Sequence, residues 1–279
     1  MTAAISTAAP SGTPEFPRTG PTITKTSRLR EQVLLPLAIE RTKSRRPWIL
    51  AALALALAAL NTADGVFQYL RNTEIFRDQG VTWLAVWGQG GLLWSAFFLP
   101  MLITFRAAGL TRMEHEHGNW RRMATYGATI TTYTGKLILT TLFALYCQLA
   151  FLLLVMAASA ALGFHLTPAD IATMTTWALL GTFGAVTIAA AQLLVGIYVP
   201  SFATTVLTGI GASFLSLAIL LVAPPLSTLY PYSQVTIGMQ ARSLATPTPA
   251  SIAWFLIWNT ILMTATVLLS RRALRRKQH

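Results

Sequence analysis

The sequence predicts an all-α polytopic membrane protein: six transmembrane helices, an N-terminal amphipathic interfacial helix, and both termini cytoplasmic. Three observations carry this reading. Of 279 residues, 54% are hydrophobic and only 11% charged, against roughly 25% charged in soluble domains. Six stretches reach the ~20 mostly apolar residues that a helix needs to cross a bilayer. The basic residues gather in three segments that fall on one side of those stretches. The apolar runs are continuous and lack the alternation of a transmembrane barrel strand.

The elements follow in chain order. Residues 1–27 hold ten Ser/Thr and four Pro with almost no large apolar side chain, which predicts a disordered cytoplasmic leader rather than a secretory signal. In 28–46, Leu29, Val33 and Leu37 recur at helical spacing beside Leu34, Ala38 and Ile39, while Glu31, Glu40, Arg41 and Lys43 are polar. Pro36 is tolerated near the start of a helix, where its missing N–H is not used. The segment reads as an amphipathic helix lying on the inner leaflet, its basic residues near anionic lipid. Ser44-Arg45-Arg46-Pro47-Trp48 resembles a twin-arginine signal, but five further spans follow, so the arginines read as anchors.

The six-helix transmembrane domain occupies 47–279, with spans at 48–70, 83–105, 137–164, 174–199, 202–223 and 252–270. The first is weakest, because its dense apolar part stops at Leu60 and Asn61 and Asp64 follow. Positive charge sets orientation. Eight basic residues precede Pro47, five lie between spans two and three and five in the C-terminal tail, against Arg71, Arg77 and Arg242 on the other side. Trp48, Trp83, Tyr198, Trp254 and the Tyr230/Tyr232 pair suit headgroup depth.

The net charge of +12 is therefore an orientation signal, and no nucleic-acid partner is expected. A single Cys147 and four His exclude a cysteine-based metal site and an internal disulfide. No P-loop GxxxxGK[ST] is present, so ATP is not bound by that route. Glu114-His115-Glu116-His117 lacks the HExxH spacing that puts two His on one helix face, so no metal is expected. Small residues in Gly88-Gln89-Gly90-Gly91, in Gly181/Ala185/Ala189 and at Gly209 and Gly211 let helices approach closely. Midspan polar groups are confined to Gln89, Gln148, Gln192 and Asn259, which read first as helix bridges and second as a candidate substrate path. A carboxylate at midplane, expected of an ion-coupled carrier, is missing.

Such a membrane domain has no energy source of its own, which points to a cytoplasmic partner. The long cytoplasmic loop 107–135 suits docking: it combines Glu114, Glu116, Arg121 and Arg122 around Trp120, read as an exposed interface tryptophan.

At this loop the chain resembles the permeases of ATP-binding-cassette exporters of the type-2 family. Glu114-His115-Glu116-His117-Gly118-Asn119-Trp120-Arg121-Arg122 and Tyr133-Thr134-Gly135-Lys136-Leu137 carry the likeness: a Glu, a Trp-basic pair and a Lys opening span three. This version is similar to permeases of lantibiotic-immunity and bacitracin-type peptide export systems. Many members follow the Trp-basic pair with a proline-containing stretch, where this chain has Met123-Ala124-Thr125-Tyr126-Gly127. The resemblance implies a permease subunit, not an enzyme, paired with a second permease and energised by ATPase subunits that bind the ATP. It implies that Glu114, Glu116, Trp120, Arg121 and Arg122 couple to the ATPase, and that the extracellular loop 223–250 is partly re-entrant and shapes an exit gate. The expected function is export or clearance of an amphipathic peptide antibiotic or hydrophobic drug from the lipid of the plasma membrane. The rival readings are an integral-membrane lipid-modifying enzyme using Asp64, Glu74 and Asp78, and a non-transporting sensor or assembly subunit.

Overall fold

A computed structural model describes residues 35–43 and 47–276. The predicted leader and residues 28–34 and 44–46 of the interfacial segment lie outside the described residues. Among the described residues the secondary structure is helical and contains no strand.

A short helix α1 (Leu35–Lys43) has Pro36 in its first turn, where the ring costs no hydrogen bond. The first span, α2 (Pro47–Arg71), is one continuous helix despite its weak second half. Asn61 is absorbed there by donating Nδ2 to Leu57 O at 2.8 Å, and it sits on the buried face with Ala54, Ala58 and Gly65. A surface turn, α3 (Thr73–Asp78), follows. The second span is longer than its apolar run: α4 (Trp83–Leu93), a π-helical turn (Trp94–Phe98) and α5 (Leu99–His115) form one rod. Pro100 has no N–H to offer the carbonyl of Ala96, and the ladder widens into the π turn directly before it.

A short helix α6 (Asn119–Thr125) leads to the third span, α7 (Thr129–Ala161). The fourth, α8 (Pro168–Tyr198), starts on a capping box in which Thr167 and Asp170 satisfy each other's backbone N–H, with Pro168 in the first turn. The fifth, α9 (Phe202–Val222), is capped by Ser201. The last is α12 (Pro249–Arg276). All six are long and apolar enough to cross a membrane. Short connections at 162–167 and 199–201 make neighbouring spans antiparallel, so α1, α6 and the end of α12 share one end of the bundle.

The core is aromatic. Trp87 stands between Phe151 (5.6 Å) and Trp177 (5.8 Å), and Trp94 stacks flat on Phe151 at 5.4 Å. Spans one and two meet backbone to backbone. A Cβ on Gly65 would lie 2.5 Å from Val86 O, and one on Gly90 would lie 2.5 Å from Asn61 O. Trp83 and Tyr232 are buried within the bundle. Trp83 packs on Trp177 at 5.8 Å. Trp48, Tyr198 and Trp254 are exposed on the surface of the bundle.

After α9 the chain turns back into the bundle through α10 (Pro224–Ser227), a 3-10 turn (Pro231–Ser233) and α11 (Gln234–Gly238). Irregular backbone at this depth requires protein partners for its polar groups, and they are present. Met239 O accepts from Trp87 Nε1 at 2.9 Å, Ser233 pairs with Ser216 at 2.9 Å, and Gln234 Oε1 accepts from Asn259 Nδ2 at 2.9 Å. Gly181 and Gly184 make room for this segment: a Cβ on either would come within 2.6 Å of Met239 or Gln234. The small-residue stripe of the fourth span therefore receives, from this re-entrant strap, the short helix α11 and the residue after it.

Candidate functional site

The residues singled out between spans two and three fold into a compact cap, not an extended loop. Helix continues through His115, because Ala107, Ala108, Leu110 and Thr111 keep an apolar buried face beyond the predicted end at 105. Gly118 (φ +66°) then takes the left-handed conformation that ends the 3-10 turn Glu116–Gly118. Asn119 donates Nδ2 to Met113 O at 3.1 Å, satisfying a carbonyl near the end of α5. Gly127 (φ +64°) makes the turn into α7.

Trp120 corrects the sequence expectation. It is buried at 4% exposure, packed with Ala107, Tyr133, Leu193, Ile197, Ala273 and Leu274 in a second small core. Its large ring contributes more as a wedge between span ends than as a solvated contact. His115 meets the ring edge-on at 6.3 Å and donates Nε2 to Gly196 O at 2.7 Å. The α6 helix is thereby fixed to α5, α7, α8 and α12 together.

Beneath it lies a buried ion cluster. Lys136 Nζ donates to Glu40 Oε2 at 2.5 Å and to Glu114 Oε1 at 2.9 Å, with all three side chains at most 1% exposed. Arg106 is within electrostatic reach of Glu40. Glu40, read from the sequence as part of a solvated polar face, is the buried contact by which α1 attaches to the bundle. One cation between two carboxylates, with a second cation near, keeps each buried charge paired, as the low dielectric demands. Sequence reading took Lys136 only as the residue opening span three. The available signal was helical phase: Glu114 lies seven residues after Ala107 on the same buried face.

Glu116, Arg121, Arg122 and Tyr126 are exposed. Glu116 pairs with Arg112 at 2.7 Å, an exposed pair of small energetic value. Arg112 lies 6.0 Å over the Phe202 ring. Between these residues and Ser201 runs an open depression of about 540 Å³. The five predicted coupling residues thus divide: Glu114 and Trp120 hold the cap in place, while Glu116, Arg121 and Arg122 form its outer face.

The four midspan polar residues do not line one path. Gln89 is exposed on span two. Gln148 accepts from Trp94 Nε1 at 3.1 Å; Gln192 donates to Thr205 O at 2.7 Å and accepts from Tyr232 at 2.5 Å; Asn259 accepts from Thr187 at 2.9 Å. These three buried amides join spans to each other and to the re-entrant strap. Asp64, Glu74 and Asp78 are exposed. Among the described residues no three His, Cys, Asp or Glu side chains form a group able to hold a metal ion.

Six apolar helices around a re-entrant strap, with a polar cap at one end, define a multi-pass helical membrane protein. A family model described as ABC-2 family transporter protein matches residues 36–222, two-thirds of the chain, and the chain belongs to that family. The match runs from α1 to the end of α9 and so takes in the ion cluster and the cap. No curated protein and no solved structure matches the chain. Membership makes it a permease, the membrane component of a transporter that works with an ATP-binding partner.

Proposed function

We propose that this permease exports or clears an amphipathic substrate, a peptide antibiotic or a hydrophobic drug, taken from the bilayer and driven by a separate ATPase subunit that docks on the outer face of α6. The observation that carries the coupling role is the burial of Trp120 and Glu114 beneath exposed Arg121 and Arg122. A push on α6 is transmitted through a tryptophan wedged among four spans and an ion cluster tied to α1. The α6 end faces the cytoplasm of the plasma membrane, as the basic residues of α1, α6 and the C-terminal tail support. The functional unit contains a second permease, a copy of this chain or a relative. The likeness to lantibiotic-immunity and bacitracin-type permeases and the apolar spans support a membrane-associated peptide as substrate. Gln148, Gln192 and Asn259 serve the substrate path by positioning the strap, and Gln89 meets lipid or the second permease.

The test is reconstitution with the cognate ATPase in proteoliposomes. Arg121→Glu with Arg122→Glu is expected to abolish ATP-driven transport and complex formation on a size-exclusion column, with the permease's own melting temperature unchanged. Wild-type transport by that variant overturns the coupling assignment.

A further inference from the structure

At the end of the bundle opposite α6, the last turn of α9 and the re-entrant segment line an open cavity of about 290 Å³. Leu220 and Ile237 form its apolar wall, and Thr236, Gln240, Arg242 and Ser243 line it with polar groups. Its lining contains no Asp or Glu, so the one formal charge is the Arg242 guanidinium. That group donates Nη1 to Leu220 O, closing the last turn of α9, and a guanidinium has further N–H donors to offer.

Thr236 is the second, independent sign of a ligand. It is 2% exposed, and its Oγ1 has no hydrogen-bond partner among the described residues. Buried hydroxyls are almost always partnered, and a helical Thr can usually turn back to the carbonyl one turn earlier. Here the hydroxyl borders the cavity unpaired. The turn carrying Gln240 is also held in place: Gln240 has φ +50°, unusual for a non-glycine residue, and Leu244 locks onto Gly88 of span two. Leu221 and Val222 follow Leu220 at the end of α9, Leu226 and Leu229 come shortly after in the chain, and all four are exposed apolar residues.

The volume is at the small end of ligand sites, which run from about 300 to 1,000 Å³. It suits a headgroup, with the apolar remainder of the molecule left outside. We propose that this cavity binds the oxyanion headgroup of an anionic amphiphile, Arg242 and Thr236 donating to its oxygens and the apolar chain lying over Leu221 and Val222. Guanidinium plus hydroxyl is a donor set matched to phosphate or carboxylate oxygens. The amphiphile is either a lipid of the surrounding leaflet or a molecule passing through. The site is defined by its donors and walls without reference to what the bundle transports.

Native mass spectrometry and titration of the full chain in phosphatidylcholine nanodiscs, with dodecyl phosphate as the probe, test this. Saturable binding of one molecule per chain is expected. Arg242→Gln should weaken it by about tenfold or more and Thr236→Val by about fivefold, the scale of single hydrogen bonds to an ion. Should Arg242→Gln destabilise α9, Arg242→Lys keeps the charge and Thr236→Val leaves the cap intact, so the comparison stands on those two. Displacement of the probe by phosphatidylglycerol in the nanodisc identifies a leaflet lipid as occupant, and failure to displace it identifies a passing amphiphile; either supports the site. Equal binding by zwitterionic dodecylphosphocholine, equal affinity for inorganic phosphate alone, or wild-type affinity in Thr236→Val overturns it.

Discussion

Tyr232, in the re-entrant turn, donates its hydroxyl to Gln192 Oε1 on the fourth span at 2.5 Å, and the same amide donates to Thr205 O on the fifth at 2.7 Å. One glutamine thus fixes the tip of the strap and the crossing of two spans. Tyr232→Phe leaves that carbonyl oxygen buried and unpaired, a loss of about 1–3 kcal/mol. Adding Gln192→Leu removes the orphaned partner and should restore part of the loss. A double-mutant cycle of melting temperatures in detergent measures the coupling; additive effects would show that the two residues do not communicate.

Lys136→Met is expected to be among the most damaging single changes at the α6 end. It strands Glu40 and Glu114 in the interior, and breaking a buried ion pair costs about 3–5 kcal/mol. Converting both carboxylates to Gln in the Lys136→Met background should recover most of the stability, since neutral amides do not carry the desolvation cost of an ion. Denaturant titration of the four combinations decides it. If the triple variant is no better than Lys136→Met alone, charge is not what the cluster contributes.

Trp120→Ala should loosen α6 while leaving the spans folded. Truncating a buried tryptophan costs about 3–5 kcal/mol, and here the loss falls on one short helix. Hydrogen exchange across 116–128 should accelerate markedly, with little change in α7 and α8. Glu116→Ala, which removes an exposed pair, should leave exchange unchanged, so any effect it has on ATPase coupling would come from the surface itself.

Glycines separate structural contacts from open space. Gly90→Ala places a methyl group 2.5 Å from Asn61 O, so spans one and two must separate and the melting temperature must fall. Gly211→Ala meets no atom within 4 Å and should be neutral, or stabilise by about 0.5–1 kcal/mol through helix propensity. Matching losses in both variants would mean that the span-one contact is not as close as described.

The spans were legible because crossing a bilayer is a property of composition along the chain, which a run such as Phe202–Val222 displays directly. The cap was located but its orientation was not. A tryptophan beside two arginines looks the same from the sequence whether the ring points out or in, and the choice is made by Leu193, Ile197 and Leu274, far away in the chain. The ion cluster was invisible for the same reason: Glu40 and Lys136 are 96 residues apart, and no local pattern separates a solvated glutamate from a buried one. Gly181 and Gly184 of α8 mark a place of close approach, yet much of what they receive is the short re-entrant helix α11 rather than another span, because small side chains record closeness and not what fills it.

The π turn at Trp94–Phe98 holds one residue more than α-helical geometry would use, and one residue is about 100° of helical rotation. The wider turn takes up that residue, so the helix on either side stays in phase. Above it, Trp87 is aimed at the re-entrant strap; below it, Glu114 is aimed at the ion cluster. Deleting a single residue within the turn would let the helix regularise with its lower half still in phase, because four α-helical residues cover about the same rotation as five in the wider turn. Deleting one from the regular helix between Pro100 and Glu114 would instead swing Glu114 away from Lys136 by about 100° while Trp87 kept its place. The rod therefore carries its extra residue at the π turn without re-aiming either end, and Trp87 and Glu114 keep their faces across it.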